Sequence, residues 1–89
     1  MGLQLFKIDY GTGWDGFYST LDNSTKLRIR KKIQQLTVLE KQRHLMHGPP
    51  YFVAETGQYR IVYEELENVR RVLFVGNHKQ YEKWIAGQE

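Results

Sequence analysis

Cysteine is absent from this 89-residue chain, so disulfides, thiolate metal sites and thiol nucleophiles are excluded. Stability has to come from packing of the 40% of residues that are apolar. Proline occurs only at Pro49 and Pro50, so one break interrupts stretches otherwise open to regular structure. No apolar run approaches the roughly 20 residues of a membrane-spanning helix, and "MGLQLFKIDYG" lacks the basic-then-apolar order of a secretory leader. A cytoplasmic protein is expected. Phe6 stands where a myristoylation signal carries Ser or Thr. Gly11, Gly13 and Gly16 have neither the spacing nor the following Lys-Ser/Thr of a phosphate loop, and no G-x-S-x-G element occurs. P-loop nucleotide hydrolysis and nucleophile-elbow acyl transfer are thereby excluded. A chain this short buries roughly 60–65% of its unfolded surface, enough for one core, so residues 1–89 are expected to form a single domain.

What is present is positive charge, unevenly spread. The formal net charge is +3. Between Lys26 and His47 stand Lys26, Arg28, Arg30, Lys31, Lys32, Lys41 and Arg43 against a single acid, Glu40, whereas acids gather in "EELE" at 64–67. That distribution suits a nucleic acid or an acidic protein as partner.

Apolar spacing supplies the elements. "LQLFKIDY", in which Leu3, Leu5 and Phe6 or Ile8 alternate with polar residues, predicts a first strand closed by "GTG". "WDGFYSTL" places Trp14, Phe17, Tyr18 and Leu21 at helical spacing. "DNS" at 22–24 offers cap residues for a helix of about eighteen positions with Ile29, Ile33, Leu36 and Leu39 or Glu40 in register. These two helices are expected to form a hairpin, which "HGPP" terminates. "YFVAE", "QYRIVYEEL" and "VRRVLFVG", separated by "TG" and "EN", predict a three-stranded antiparallel meander. Their apolar centres imply cover on both faces, with the helices on one and a groove on the other. Finally, "NHKQYEKWIAGQE" predicts a short helix capped by Asn77, with Tyr81, Trp84 and Ile85 docked on the sheet.

Arg60 lies mid-strand, where a charge is costly without a partner. It either pairs with Glu64, Glu82 or an acid on a neighbouring strand, or holds a guanidinium rigidly against a phosphate. With Asn77 as cap, His78 and Tyr81 fall on one side of a helix N-terminus whose free amides attract anions. An imidazole there can exchange a proton, and a phenol can donate or position one. The alternative is a core Tyr81 beside an exposed His78. His44 and His47, near Lys41 and Arg43, suit a backbone-binding basic loop better than zinc, because no carboxylate or HExxH-type spacing accompanies them. Lys79, Glu82 and Lys83 fall on a solvated face.

The motif Gly-x-Tyr-Arg-Ile-Val-Tyr at 57–63, followed by Val-Gly-x-His-Lys-x-Tyr at 75–81, resembles the RelE/ParE superfamily of toxins from toxin–antitoxin pairs. The likeness spans nearly the whole chain. It implies an α+β fold with an N-terminal strand, a two-helix hairpin, a three-stranded meander joined into one sheet and a short C-terminal helix. Its RelE-like branch implies a metal-independent, cofactor-free endoribonuclease that cuts messenger RNA on the ribosome by 2′-hydroxyl attack, leaving a 2′,3′-cyclic phosphate. Arg60, His78 and Tyr81 match the family's catalytic positions, and Glu55 is a remote candidate base. Lys41, Arg43, His44, His47 and Lys79 are expected to contact RNA phosphates. The resemblance implies a cognate antitoxin as protein partner. The ParE branch, associated with DNA gyrase poisoning, is the alternative, together with a non-catalytic antitoxin-binding member.

Overall fold

The computed structural model describes residues 5–38 and 51–87, and the backbone of 43–44. In chain order the elements are β1 (Lys7–Tyr10), α1 (Trp14–Tyr18), α2 (Asn23–Gln35), β2 (Arg43–His44), β3 (Tyr51–Thr56), β4 (Tyr59–Leu66), β5 (Val69–Asn77) and α3 (His78–Ala86). The strands form one mixed sheet in the order β1-β5-β4-β3-β2. The expected meander is present as β3, β4 and β5, joined by two-residue turns. Gly57, at φ +59°, supplies the positive φ that the first of these turns takes. β1 runs parallel to the far edge of β5.

A β-bulge decides how the branched and aromatic residues of β5 are shared between the two faces. Val62 pairs with Phe74 and Tyr63 with Val72, so Leu73 is the extra residue. Its insertion reverses the parity of β5. Val72 and Val75 then join Phe52, Ile61, Tyr63, Trp14, Ile29, Ile33 and Leu36 in the larger core, on the face covered by α2. Phe74 instead joins Val53, Val62 and Tyr81 on the opposite face, beneath α3. The face expected to be an open groove is therefore covered at its centre, and the hollow of interest opens at the end of the sheet.

Three expectations need correction. The first strand begins at Lys7 among the described residues, and Leu5, before it, is 57% exposed. Phe6 leaves the ladder because its N–H donates to the Thr37 carbonyl (2.8 Å). α2 stops after 13 residues instead of eighteen. The last helical carbonyls, of Gln34 and Gln35, accept locally from the Thr37 and Val38 N–H groups, while tertiary partners take the next two: buried Leu36, the C-cap, presents its carbonyl to Nη1 of Arg70 (2.7 Å), and that of Thr37 accepts from Phe6. The following Thr37-Val38 pair is β-branched and adds little helical preference. A short strand that the pattern did not announce, β2, pairs Arg43 and His44 with Val53 and Phe52. Leu3, Leu39, Glu40, Lys41 and His47 lie outside the described residues.

Candidate functional site

Arg60 stands one residue into β4, the central strand, opposite Gly76 on β5 and Glu55 on β3. The turn at Gly57-Gln58 makes residues symmetric about it face each other, so Glu55 and Arg60 project together. Their side chains pair, with Nε of Arg60 3.3 Å from Oε2 of Glu55. The arginine side chain is 21% exposed and the glutamate 53%. Beneath the guanidinium lies the ring of Tyr81, with 4.8 Å from its centroid to Cζ. This contact is a cation–π geometry, and it fixes the planar head between an anion and an aromatic face.

The adjoining wall is the start of α3. Asn77 caps it as expected, its Oδ1 accepting from the Gln80 N–H (2.9 Å) while Oε1 of Gln80 accepts from the Asn77 N–H (2.8 Å). This reciprocal pair satisfies two terminal donors. The tight junction between β5 and α3 depends on Gly76, where an added Cβ would lie 2.6 Å from Cζ of Phe74 and 2.8 Å from Oε1 of Gln80. His78 is consequently the first helical residue. Its imidazole Nε2 lies 3.5 Å from Oε2 of Glu82, one turn on, an ion pair whenever the ring is protonated.

These pieces enclose an open cleft of about 560 Å³, lined by Glu55, Gly57, Tyr59, Arg60, His78 and Lys79 among others. The volume falls in the range of small-ligand sites. It brings together a guanidinium, a carboxylate, an imidazole and an ammonium, a set able to hold a phosphate and to move protons beside it. Tyr81 is buried, 8% exposed, and forms the support behind Arg60 rather than part of the lining. The backbone of Arg43 and His44 lies on β2, at the other edge of β3 from β4. Lys41 and His47 fall outside the described residues.

Sequence reasoning gave Glu55 only a remote place and omitted Tyr59. The Glu55–Arg60 pairing was readable from a two-residue turn centred on Gly57-Gln58. Gln80 likewise completes an Asn-x-x-Gln cap pattern. A second hollow, between β1 and the two helices, is lined by Tyr10, Tyr18, Lys26 and Arg30. It contains cations and aromatic rings but no histidine.

No family model matches the sequence, and no curated protein matches it. Solved structures do match the fold. A double arginine-to-alanine mutant of the Escherichia coli toxin RelE in the free state aligns over 91% of this chain and 92% of its own, with a TM-score of 0.75 and 17% identity. The isolated E. coli RelE toxin aligns over 92% and 97%, with a TM-score of 0.65 and 17% identity. A chain of the intact E. coli RelBE toxin–antitoxin complex aligns over 81% and 95%, with a TM-score of 0.66 and 22% identity. The fold is RelE-like, as the resemblance in the strand and helix motifs implied.

Proposed function

We propose that this protein is the toxin of a toxin–antitoxin pair and an endoribonuclease of RelE type, acting in the cytoplasm on ribosome-bound messenger RNA. One observation carries the reading: Arg60, Glu55 and His78 line a single cleft on a RelE-like fold. The chemistry requires a base for the 2′-hydroxyl, a cation for the charge that accumulates on phosphorus, and an acid for the departing oxygen. Glu55 takes the 2′-hydroxyl proton. The freed oxygen attacks phosphorus as the bond to the 5′-oxygen breaks, and protonated His78 delivers a proton to that oxygen. Arg60 binds the non-bridging oxygens, held in place by Glu55 and the Tyr81 ring. Lys79 adds a further cation to the wall, and Arg43, His44, Lys41 and His47 supply phosphate contacts from the segment before β3.

The partner is an antitoxin with an acidic segment. The hollow lined by Tyr10, Tyr18, Lys26 and Arg30 offers both cations and aromatic surface to such a segment.

The test is cell-free translation with the protein and with Arg60→Ala, Glu55→Gln and His78→Ala, mapping RNA ends. The expected result is cuts in translated messages ending in 2′,3′-cyclic phosphate, reduced about 10²–10³-fold in Arg60→Ala, in line with loss of one charge-stabilising donor. Intact RNA with arrested DNA supercoiling in a parallel gyrase assay replaces this reading with the ParE-like one. Inactivity in both assays leaves an antitoxin-binding module.

A further inference from the structure

One side chain from outside the β4 and α3 walls comes up to the turn that lines the cleft. Arg28 projects from α2, on the far face of the sheet, and its Nη1 reaches to 3.3 Å from where a Cβ on Gly57 would stand. Gly57 is the turn residue that lines the cleft. A Cβ at position 57 would ask the guanidinium to give by only a few tenths of an ångström, but it would strain a backbone at φ +59°. The glycine closes the hairpin, and the end of the Arg28 side chain lies beside its tip.

Among the described residues, no hydrogen bond or ion pair accounts for the placement of Arg28. It is exposed. Among the described residues no carboxylate stands within ion-pair distance of it. Asp22, whose carboxyl Arg28 helps hold below its ordinary value only after the hydrogen bonds to Thr25 and Ser24, is committed to capping α2 through the Thr25 N–H (2.8 Å). Arg28 also begins a cationic path away from the cleft: Lys31 and Lys32 follow at the spacings of three and four that make helical neighbours. α2 carries five cations and no acid between Asn23 and Gln35.

We infer that Arg28 is a second phosphate-binding residue, gripping the RNA backbone next to the scissile position as the strand passes over the hairpin tip onto α2. The inference rests on the endoribonuclease reading of the cleft. Two guanidiniums, Arg60 within the cleft and Arg28 at its rim, then hold backbone on either side of the Gly57-Gln58 turn. Such contacts fix register rather than sequence, so Arg28 is expected to act on binding and not on the chemical step.

Fluorescence anisotropy with a single-stranded RNA oligonucleotide, at several salt concentrations, provides the test. The proteins compared are the full chain, Arg28→Ala, Arg28→Lys and Arg30→Ala, each checked for folding by circular dichroism. Arg30 is the control because it removes the same charge from the same helix but lines the hollow on the opposite side. Arg28→Ala is expected to weaken binding about fivefold, the equivalent of one partly exposed charge pair. It should also reduce the slope of log affinity against log salt by about 0.7, the value for one phosphate contact on a single strand. Arg28→Lys should retain most of the affinity, and Arg30→Ala should resemble the full chain. Equal losses in Arg28→Ala and Arg30→Ala mean a diffuse field, and overturn the assignment. Normal binding and cleavage by Arg28→Ala overturns it while leaving the function intact, whereas a full chain that neither binds nor cuts RNA removes both readings.

Discussion

Arg60 and Arg70 occupy adjacent strands and share one chemistry, but their surroundings give them opposite uses. Arg70 is fully buried. It donates to the Leu36 carbonyl (2.7 Å), pairs with Glu65 (3.2 Å), and lies over the rings of Phe6 (3.9 Å) and Tyr63 (5.3 Å). Removing it strands a largely buried carboxylate and the end of α2, so Arg70→Ala is expected to cost about 3–5 kcal/mol in urea unfolding. A loss below about 1 kcal/mol would show that the network relaxes around the gap. Arg60, by contrast, pairs with a half-exposed Glu55, and its truncation should change stability by at most about 1 kcal/mol while lowering cleavage about 10²–10³-fold. The same contrast applies to Tyr81. Because its ring supports Arg60 and is nearly inaccessible, Tyr81→Phe is expected to retain most cleavage activity, and Tyr81→Leu to lose it. Equal loss in both would instead assign the phenol a proton-transfer role.

At the scale of elements, α3 depends on its cap and on its docking. Nine residues are too few to stay helical alone, so its cap and its docking by Tyr81, Trp84 and Ile85 carry it. Asn77→Ala is expected to cost about 1 kcal/mol and to raise amide exchange in α3 before the sheet. Asn77→Asp, which keeps the acceptor, should not. Exchange rising equally in β4 would mean that the cap supports the whole fold. This helix was legible because cap, apolar spacing and length are all local. The meander was legible for a similar reason: branched runs and turn dipeptides declare themselves within a few residues. The early end of α2 was not, since Arg70 and Phe6, residues distant in sequence, take the Leu36 and Thr37 carbonyls just past its last turn. The Leu73 bulge and β2 likewise depend on neighbouring strands. In the cleft, Arg60 and His78 stood out by residue type and position, and Glu55 was recoverable from hairpin symmetry. Arg28 carried no local signal, because its approach to Gly57 exists only once α2 crosses the sheet.

Across the whole molecule, exposed carboxylates tie the early and late parts of the chain together, and this makes stability sensitive to acid. Asp9 on β1 accepts from Nε of Arg71 on β5 (2.9 Å), and Arg71 also reaches Glu64 on β4 (3.3 Å), so one guanidinium links three strands. The hydrogen bond from Arg71, helped by the Tyr10 N–H, holds the Asp9 carboxyl below its ordinary 3.8. Asp22 is likewise held below 3.8 by its hydrogen bonds to Thr25 at the start of α2. A carboxyl that is more acidic in the folded state binds fewer protons there than in the unfolded chain. Its contribution is therefore complete above about 3.8 and is lost as pH falls through the lower, folded value. Protonation also adds to a net charge that is already +3, increasing self-repulsion as these ties release. Asp9→Asn combined with Asp22→Asn tests this, because asparagine still caps a helix but cannot titrate. Thermal unfolding from about pH 6 down to about pH 2.5 should show the double variant less stable than the native chain at the upper end, with the difference closing below about 3.8. The gap should narrow in high salt, since both carboxylates are exposed and screened. Parallel stability curves for the two proteins would move the acid sensitivity to other groups and leave the Arg71 bridge without an energetic role.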